Sequence, residues 1–182
     1  MFYNQTMNTN EIENRLIKGN LEFKEKISAN PEYKVHVTEL VNGQKPYALI
    51  ITCSDSRVIP EKIFSTCLGE LFVIRTAGNV VNEGELASVE YGIGHLHIDY
   101  VLVLAHTHCG AVHAALHNEK GKYLGCILDN ISSNIKEEHD EYEASVKNAK
   151  AQVNYLKRKF PNYKGVIKAG IYKIEDNSVQ FF

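Results

Sequence analysis

The sequence predicts an α/β fold in which a central, mostly parallel sheet is flanked by helices and preceded by an N-terminal helical arm. Three observations predict it. The segments "YALIITC" (47–53), "LFVIRTA" (71–77) and "YVLVLAH" (100–106) are nearly continuous apolar runs, as strands covered on both faces require. Helical patterns fall between them, where the crossovers of a parallel sheet must lie. Finally, 182 residues with 44% apolar against 23% charged side chains suffice for one continuous core, so residues 1–182 read as a single domain.

Taken in order, residues 1–9 read as a disordered start. "NEIENRLIKGNLEFKEKI" then sets Ile12, Leu16, Leu21 and Ile27 near helical spacing with charges between them, which gives the arm as an amphipathic helix or helix pair. After the first strand, "PEKIFSTC" is a short helix with Pro60 in its first turn. "EGELASVEYGIGHL" follows the second strand and "GAVHAALHNE" the third, both as helices. The region from Tyr123 to Phe160 is helical and highly charged, "GVIKAGIYKI" (165–174) is a fourth strand, and "EDNS" turns into a last short strand, "VQFF". No repeat or low-complexity segment divides the chain.

Composition narrows the function. Twenty basic against twenty-two acidic residues give a net charge of −2, without the basic excess that a nucleic-acid partner calls for. The N-terminus carries no basic stretch followed by an apolar one, and no uncharged apolar run reaches the roughly 18 residues of a membrane span. The expected location is therefore cytoplasmic. In a reducing compartment Cys53, Cys67, Cys109 and Cys126 are more often ligands or nucleophiles than disulfide partners.

Two strands end in metal-ligand chemistry. The first ends in Cys53, and the third runs into "AHTHCGA", where His106 and Cys109 flank a two-residue gap on a tight loop. Each cysteine alone reads as a small buried residue. What changes that reading is topology: if the first and third strands are neighbours with the second on the far side, an order beginning 2-1-3, the three side chains converge where the strand order reverses. Two thiolates and an imidazole form a soft set suited to Zn²⁺ with one position open. His108 competes with His106, but it adjoins Cys109 and should point away from it. His113 and His117, at i and i+4, have no acid between them and read as a solvated helix face. Cys67 and Cys126 read as structural thiols.

After Cys53, "SDSR" carries an acid and a base at alternate positions. As plain turn chemistry it would cap the "PEKIF" helix. Beside a zinc ligand, Asp55 could instead occupy the fourth position or accept a hydrogen bond from a water there. A fork between Arg57 and Asp55 holds the carboxylate ionised and off the metal. The arrangement suggests a zinc-bound hydroxide, oriented by Asp55, attacking a small electrophile.

These residues resemble the β-class carbonic anhydrases. The resemblance runs from Gln44 to about Val112 through "CSDSR", "LFVIRTAGN", "SVEYGIGHL" and "HTHCGAV", and includes "GVIKAGIYKI". It implies zinc at Cys53, His106 and Cys109, the Asp55 and Arg57 dyad, and reversible hydration of carbon dioxide to bicarbonate and a proton. It also implies a homodimer or higher homo-oligomer whose pocket is lined across the interface. Gln44, Phe72, Tyr91 and Gly110 correspond to substrate-pocket positions, and His95 to a proton shuttle of some members. The subgroup with an inhibitory bicarbonate site typically has a tryptophan where this chain has Ile50, and this chain contains no tryptophan. Two other functions fit the same residues: hydrolysis of carbon disulfide or carbonyl sulfide at that zinc, and a non-enzymatic zinc-binding scaffold. A scaffold needs neither Asp55 nor Arg57.

Overall fold

The structure is a computed structural model that describes residues 8–29 and 39–182, the side chains of residues 27 and 28 excepted. The start expected to be disordered lies outside the described residues for 1–7, while Thr9 already opens a helix. The chain divides into two compact units, Met1–Gln44 and Lys45–Phe182.

In the first unit, helix α1 spans Thr9–Ala29. Its start is set by a reciprocal cap: Asn8 N donates to Glu11 Oε2 at 2.8 Å, and Glu11 N donates to Asn8 Oδ1 at 3.0 Å. The apolar residues of the predicted amphipathic pattern do not sink into a core within this unit. Ile12, Leu16, Ile17, Leu21 and Phe23 are all exposed, Leu16 at 69%.

The second unit holds β1 (Ala48–Cys53), α2 (Pro60–Ile63), β2 (Leu71–Thr76), a 3₁₀ turn (Ala77–Asn79), α3 (Glu83–Gly94), β3 (Tyr100–His106), α4 (Gly110–Leu116), α5 (Gly125–Ile135), α6 (Glu141–Lys159), β4 (Val166–Tyr172) and β5 (Val179–Phe181). The sheet order is β2-β1-β3-β4-β5, with the first four strands parallel and β5 antiparallel. The expected 2-1-3 start is thus observed. β3 fills its apolar run, while β1 and β2 are each one residue shorter than theirs, Ala77 having left β2 for the 3₁₀ turn.

Burial explains the continuous runs. Leu49, Ile51, Val101, Val103, Ile167 and Ile171 point to one face, which α6 covers with Val146, Ala149, Val153 and Leu156 and α3 with Val89. The intervening Ala48, Ile50, Leu102 and Leu104 point to the other face, against Val58. Each fully buried aliphatic side chain contributes about 1.5–3 kcal/mol, so a strand with two apolar faces is strongly driven inward. Close approach of α3 needs Gly92, where a Cβ would come 2.6 Å from Leu49 Cδ1.

Candidate metal centre

The site is built where β1 and β3 end side by side. Thr52 pairs with Leu104 in the ladder, and its Oγ1 donates to the Leu104 carbonyl at 2.8 Å. One residue further, Cys53 ends β1, while the β3 chain turns through Thr107 and His108 to Cys109 at the start of α4. The ligand atoms of Cys53, His106 and Cys109 all lie within 4.8 Å of one another, and all three residues are buried. The two Sγ atoms are 3.9 Å apart.

This donor set fits zinc. His106 is fully buried, and its Nδ1 is 2.8 Å from the Thr107 carbonyl, so Nδ1 carries the proton and Nε2 presents its lone pair. Nε2 is buried with no hydrogen-bond partner. A polar atom left so is costly unless something binds it. The sulfurs are poised as well. A hydrogen bond from Cys109, aided by the backbone N–H groups of Asp55 and, at 3.3 Å, of Gly78, holds the Cys53 thiol well below its ordinary range against its burial. The Cys53 sulfur and burial push Cys109 the opposite way, as expected when two close thiols share one proton. A divalent cation in place of that proton stabilises both as thiolates.

Asp55 and Arg57 form the predicted fork. Arg57 Nε donates to Oδ1 at 2.9 Å and Nη2 to Oδ2 at 2.7 Å, while the Arg57 backbone N–H also donates to Oδ1 at 2.9 Å. These bonds hold the Asp55 carboxyl down at about 2. Oδ2 lies 4.0 Å from His106 Nε2. It accepts one bond to two at Oδ1, so the oxygen nearer the cluster keeps acceptor capacity.

Other predicted residues fall elsewhere. Phe72, Tyr91 and His95 form an aromatic row, with ring centroids 6.0 Å apart for the first pair and 5.2 Å for the stacked second pair. Gly110 opens α4 directly after Cys109, and a Cβ there would meet nothing within 4 Å, so packing alone does not demand glycine. Gln44 is exposed and ends the first unit. His108 turns its ring to Glu175 rather than into the cluster. His113 is exposed but not merely solvated, because its Nδ1 pairs with Glu141 of α6. Cys126 is an exposed thiol bonded to the Tyr123 carbonyl, not a packed one.

Three contributors escaped the sequence reading. Arg75 of β2 donates to the carbonyls of Cys53 (3.1 Å) and Asp55 (2.7 Å), bracing the loop between them. Gly78 brings its N–H to Cys53 through a left-handed turn (φ 65°), where a Cβ would come 2.7 Å from Ile131 Cδ1. Asn148 of α6 donates to the Gly78 carbonyl at 2.8 Å and fixes that turn from behind. The glycine of "TAGN" was the available signal, since a glycine at the exit of a buried strand marks a close approach.

A family model for carbonic anhydrases matches residues 48–169. Carbonic anhydrase 2 of Mycobacterium tuberculosis is 44% identical over 112 residues, covering 60% of this chain and 54% of that protein. The chain thus spans about half the length of that curated relative. Among solved structures, the β-carbonic anhydrase CcaA superposes with a TM-score of 0.79 at 30% identity, over 93% of this chain and 87% of that one. The β-carbonic anhydrase CafA of Aspergillus fumigatus has a TM-score of 0.84 at 23% identity, over 93% and 89%, and shows the shared fold.

Proposed function

Because this chain belongs to the β-carbonic anhydrase family, we propose that it catalyses the reversible hydration of carbon dioxide to bicarbonate and a proton. The observation that carries the reading is the unpartnered, fully buried Nε2 of His106 beside two thiols and an arginine-held aspartate. Cys53, His106 and Cys109 would hold the zinc, whose chemistry when bound is Lewis acidity toward water.

The chain's own groups supply the rest. Asp55 stays ionised because Arg57 holds it, so its Oδ2 can accept a hydrogen bond from the attacking water and orient it. The Arg57 fork also keeps the carboxylate from turning toward the sulfurs. Phe72, Tyr91 and Gly110 would bind and shield the small apolar substrate, a role that only the family resemblance extends to Gln44, and His95, stacked on Tyr91, would pass the released proton to solvent. Carbon disulfide or carbonyl sulfide is the less favoured substrate, since the relatives described above are carbonic anhydrases by name. A bare zinc scaffold would leave the Asp55–Arg57 fork without a use.

The reading includes self-association, supported by the exposed apolar residues of α1; a β-carbonic anhydrase of Sordaria macrospora is described as tetrameric. None of the described helices is long and apolar enough to cross a membrane. All four cysteines are free, which suits a reducing compartment and hence a cytoplasmic location. Stopped-flow carbon dioxide hydration with metal analysis of the same sample tests the proposal. One zinc per chain with strong hydration is expected; one zinc per chain with no hydration would overturn it.

A further inference from the structure

We propose that Glu175, in the turn between β4 and β5, is a positioning residue that keeps Asp55 off the metal, acting through His108 and Arg57. The inference rests on the site reading above. It starts from the second hydrogen of Arg57 Nη2. One hydrogen goes to Asp55 Oδ2; the other goes to the His108 carbonyl at 3.0 Å. The plane of the guanidinium, and with it the fork on Asp55, therefore depends on where that carbonyl points.

The carbonyl points there because His108 adopts φ 55°, a left-handed conformation unusual for a residue with a side chain. Such a conformation persists only where its surroundings over-determine it. Glu175 does so with both oxygens. Oε1 lies 2.7 Å from His108 Nε2, and Oε2 accepts from Thr107 Oγ1 at 2.8 Å. Thr107 is buried, its Oγ1 accepts from Ile174 N at 3.0 Å, and its own N–H donates to the Tyr172 carbonyl at 3.0 Å. One carboxylate thus grips both residues between His106 and Cys109.

The grip has a firm base. Lys173 N donates to the Ser178 carbonyl at 2.8 Å, Ser178 N donates to Asp176 Oδ1 at 2.9 Å, and Tyr172 Oη donates to Asn177 Oδ1 at 2.7 Å, closing the hairpin that presents Glu175. As a bare ion pair, His108 and Glu175 would matter little, being 60% and 52% exposed. Their effect lies in geometry. Without Glu175, His108 relaxes to negative φ, its carbonyl turns, and Nη2 of Arg57 loses an acceptor. Asp55 Oδ2, 4.0 Å from His106 Nε2, is then free to move onto the metal.

The test uses the full chain loaded with cobalt in place of zinc, titrated with azide and followed by visible absorption, beside carbon dioxide hydration of the zinc form. Glu175→Ala should keep its metal, bind azide about tenfold more weakly and lose about tenfold in kcat, moving toward Arg57→Ala on both measures. Glu175→Gln, which keeps one accepting oxygen of the two, should fall between wild type and Glu175→Ala. A purely structural role would lower the melting temperature without weakening azide binding at a retained metal. Wild-type azide affinity and kcat in Glu175→Ala would overturn the proposal. If that variant does not fold, Thr107→Val decides in its place, since it removes one anchor of the same grip and should weaken azide binding likewise. A wild-type protein that binds cobalt and azide but hydrates no carbon dioxide defeats the proposed function, while the azide series still decides for Glu175. A wild-type protein that binds no cobalt overturns both.

Discussion

The sulfurs of Cys53 and Cys109 lie 3.9 Å apart although 56 residues separate them in sequence. Neither strand carries the site alone. The parallel pairing of β1 with β3 brings the two strand ends together, and the turn after His106 returns the second cysteine to meet the first. The metal ligands are therefore a direct product of strand order.

Replacing either cysteine with serine should remove the metal, because a hard alcohol replaces a soft thiolate in a buried site. Metal analysis and chelator competition would check this. A full equivalent of zinc at unchanged affinity in Cys53→Ser would show that the ligand set is wrong.

Arg57→Ala should leave zinc in place and abolish turnover, because Asp55 loses its charge-assisted partner and can move to the metal. Asp55→Ala should also keep zinc but lower activity through poor orientation of the water. An Arg57→Ala protein with near-normal kcat and azide binding would refute the restraining role.

The legible parts of this fold were those set by local pattern. The three apolar runs identify the buried strands, and the positions of Cys53, His106 and Cys109 at strand ends constrain the order in which those strands must lie. Arg75, Gly78, Asn148 and Glu175 were not legible. Each acts on a group far away in sequence: Arg75 on the carbonyl of Cys53, Gly78 on its sulfur, Asn148 on the carbonyl of Gly78, and Glu175 on the side chains of Thr107 and His108. Such contacts follow from ladder register and helix placement, which periodicity does not specify. The helix α1 was legible as a helix, yet the described apolar side chains of its pattern stay exposed, because a pattern shows what could be buried and not what covers it.

Gly78→Ala should cost about 2–4 kcal/mol, from left-handed strain together with overpacking against Ile131. It should also weaken metal binding, since the Gly78 N–H donates to Cys53. Gly84→Ala in α3, with open space around its Cβ position, provides the contrast and should stabilise by about 0.5–1 kcal/mol. Denaturant unfolding of the two variants separates these effects. Equal midpoints would remove any special role for the turn.

Asp55 links stability to pH with a definite sign. Its carboxyl sits at about 2 in the folded chain against an ordinary 3.8, so the Arg57 fork contributes stability above pH 3.8 that is lost as pH falls toward 2. In metal-free protein, the difference in urea midpoint between wild type and Asp55→Asn should be constant from about pH 7 to 5 and shrink only below about 4. A difference already fading near pH 6 would mean that Arg57 does not hold the carboxylate.

Hydration releases a proton that must leave the site, and an imidazole is the side chain that ordinarily titrates near neutrality. His95 caps the C-terminal end of α3, where its N–H donates to the Tyr91 carbonyl, and its exposed ring stacks on Tyr91, itself 6.0 Å from Phe72. A histidine that only finishes the helix would affect stability and nothing else. A shuttle behaves differently, because it limits the proton step and not the capture of carbon dioxide. His95→Ala should therefore lower kcat in weak buffer, leave kcat/KM nearly unchanged, and recover with added imidazole. Turnover identical to wild type at low buffer concentration would remove His95 from the mechanism and assign the proton to solvent or to another rim residue.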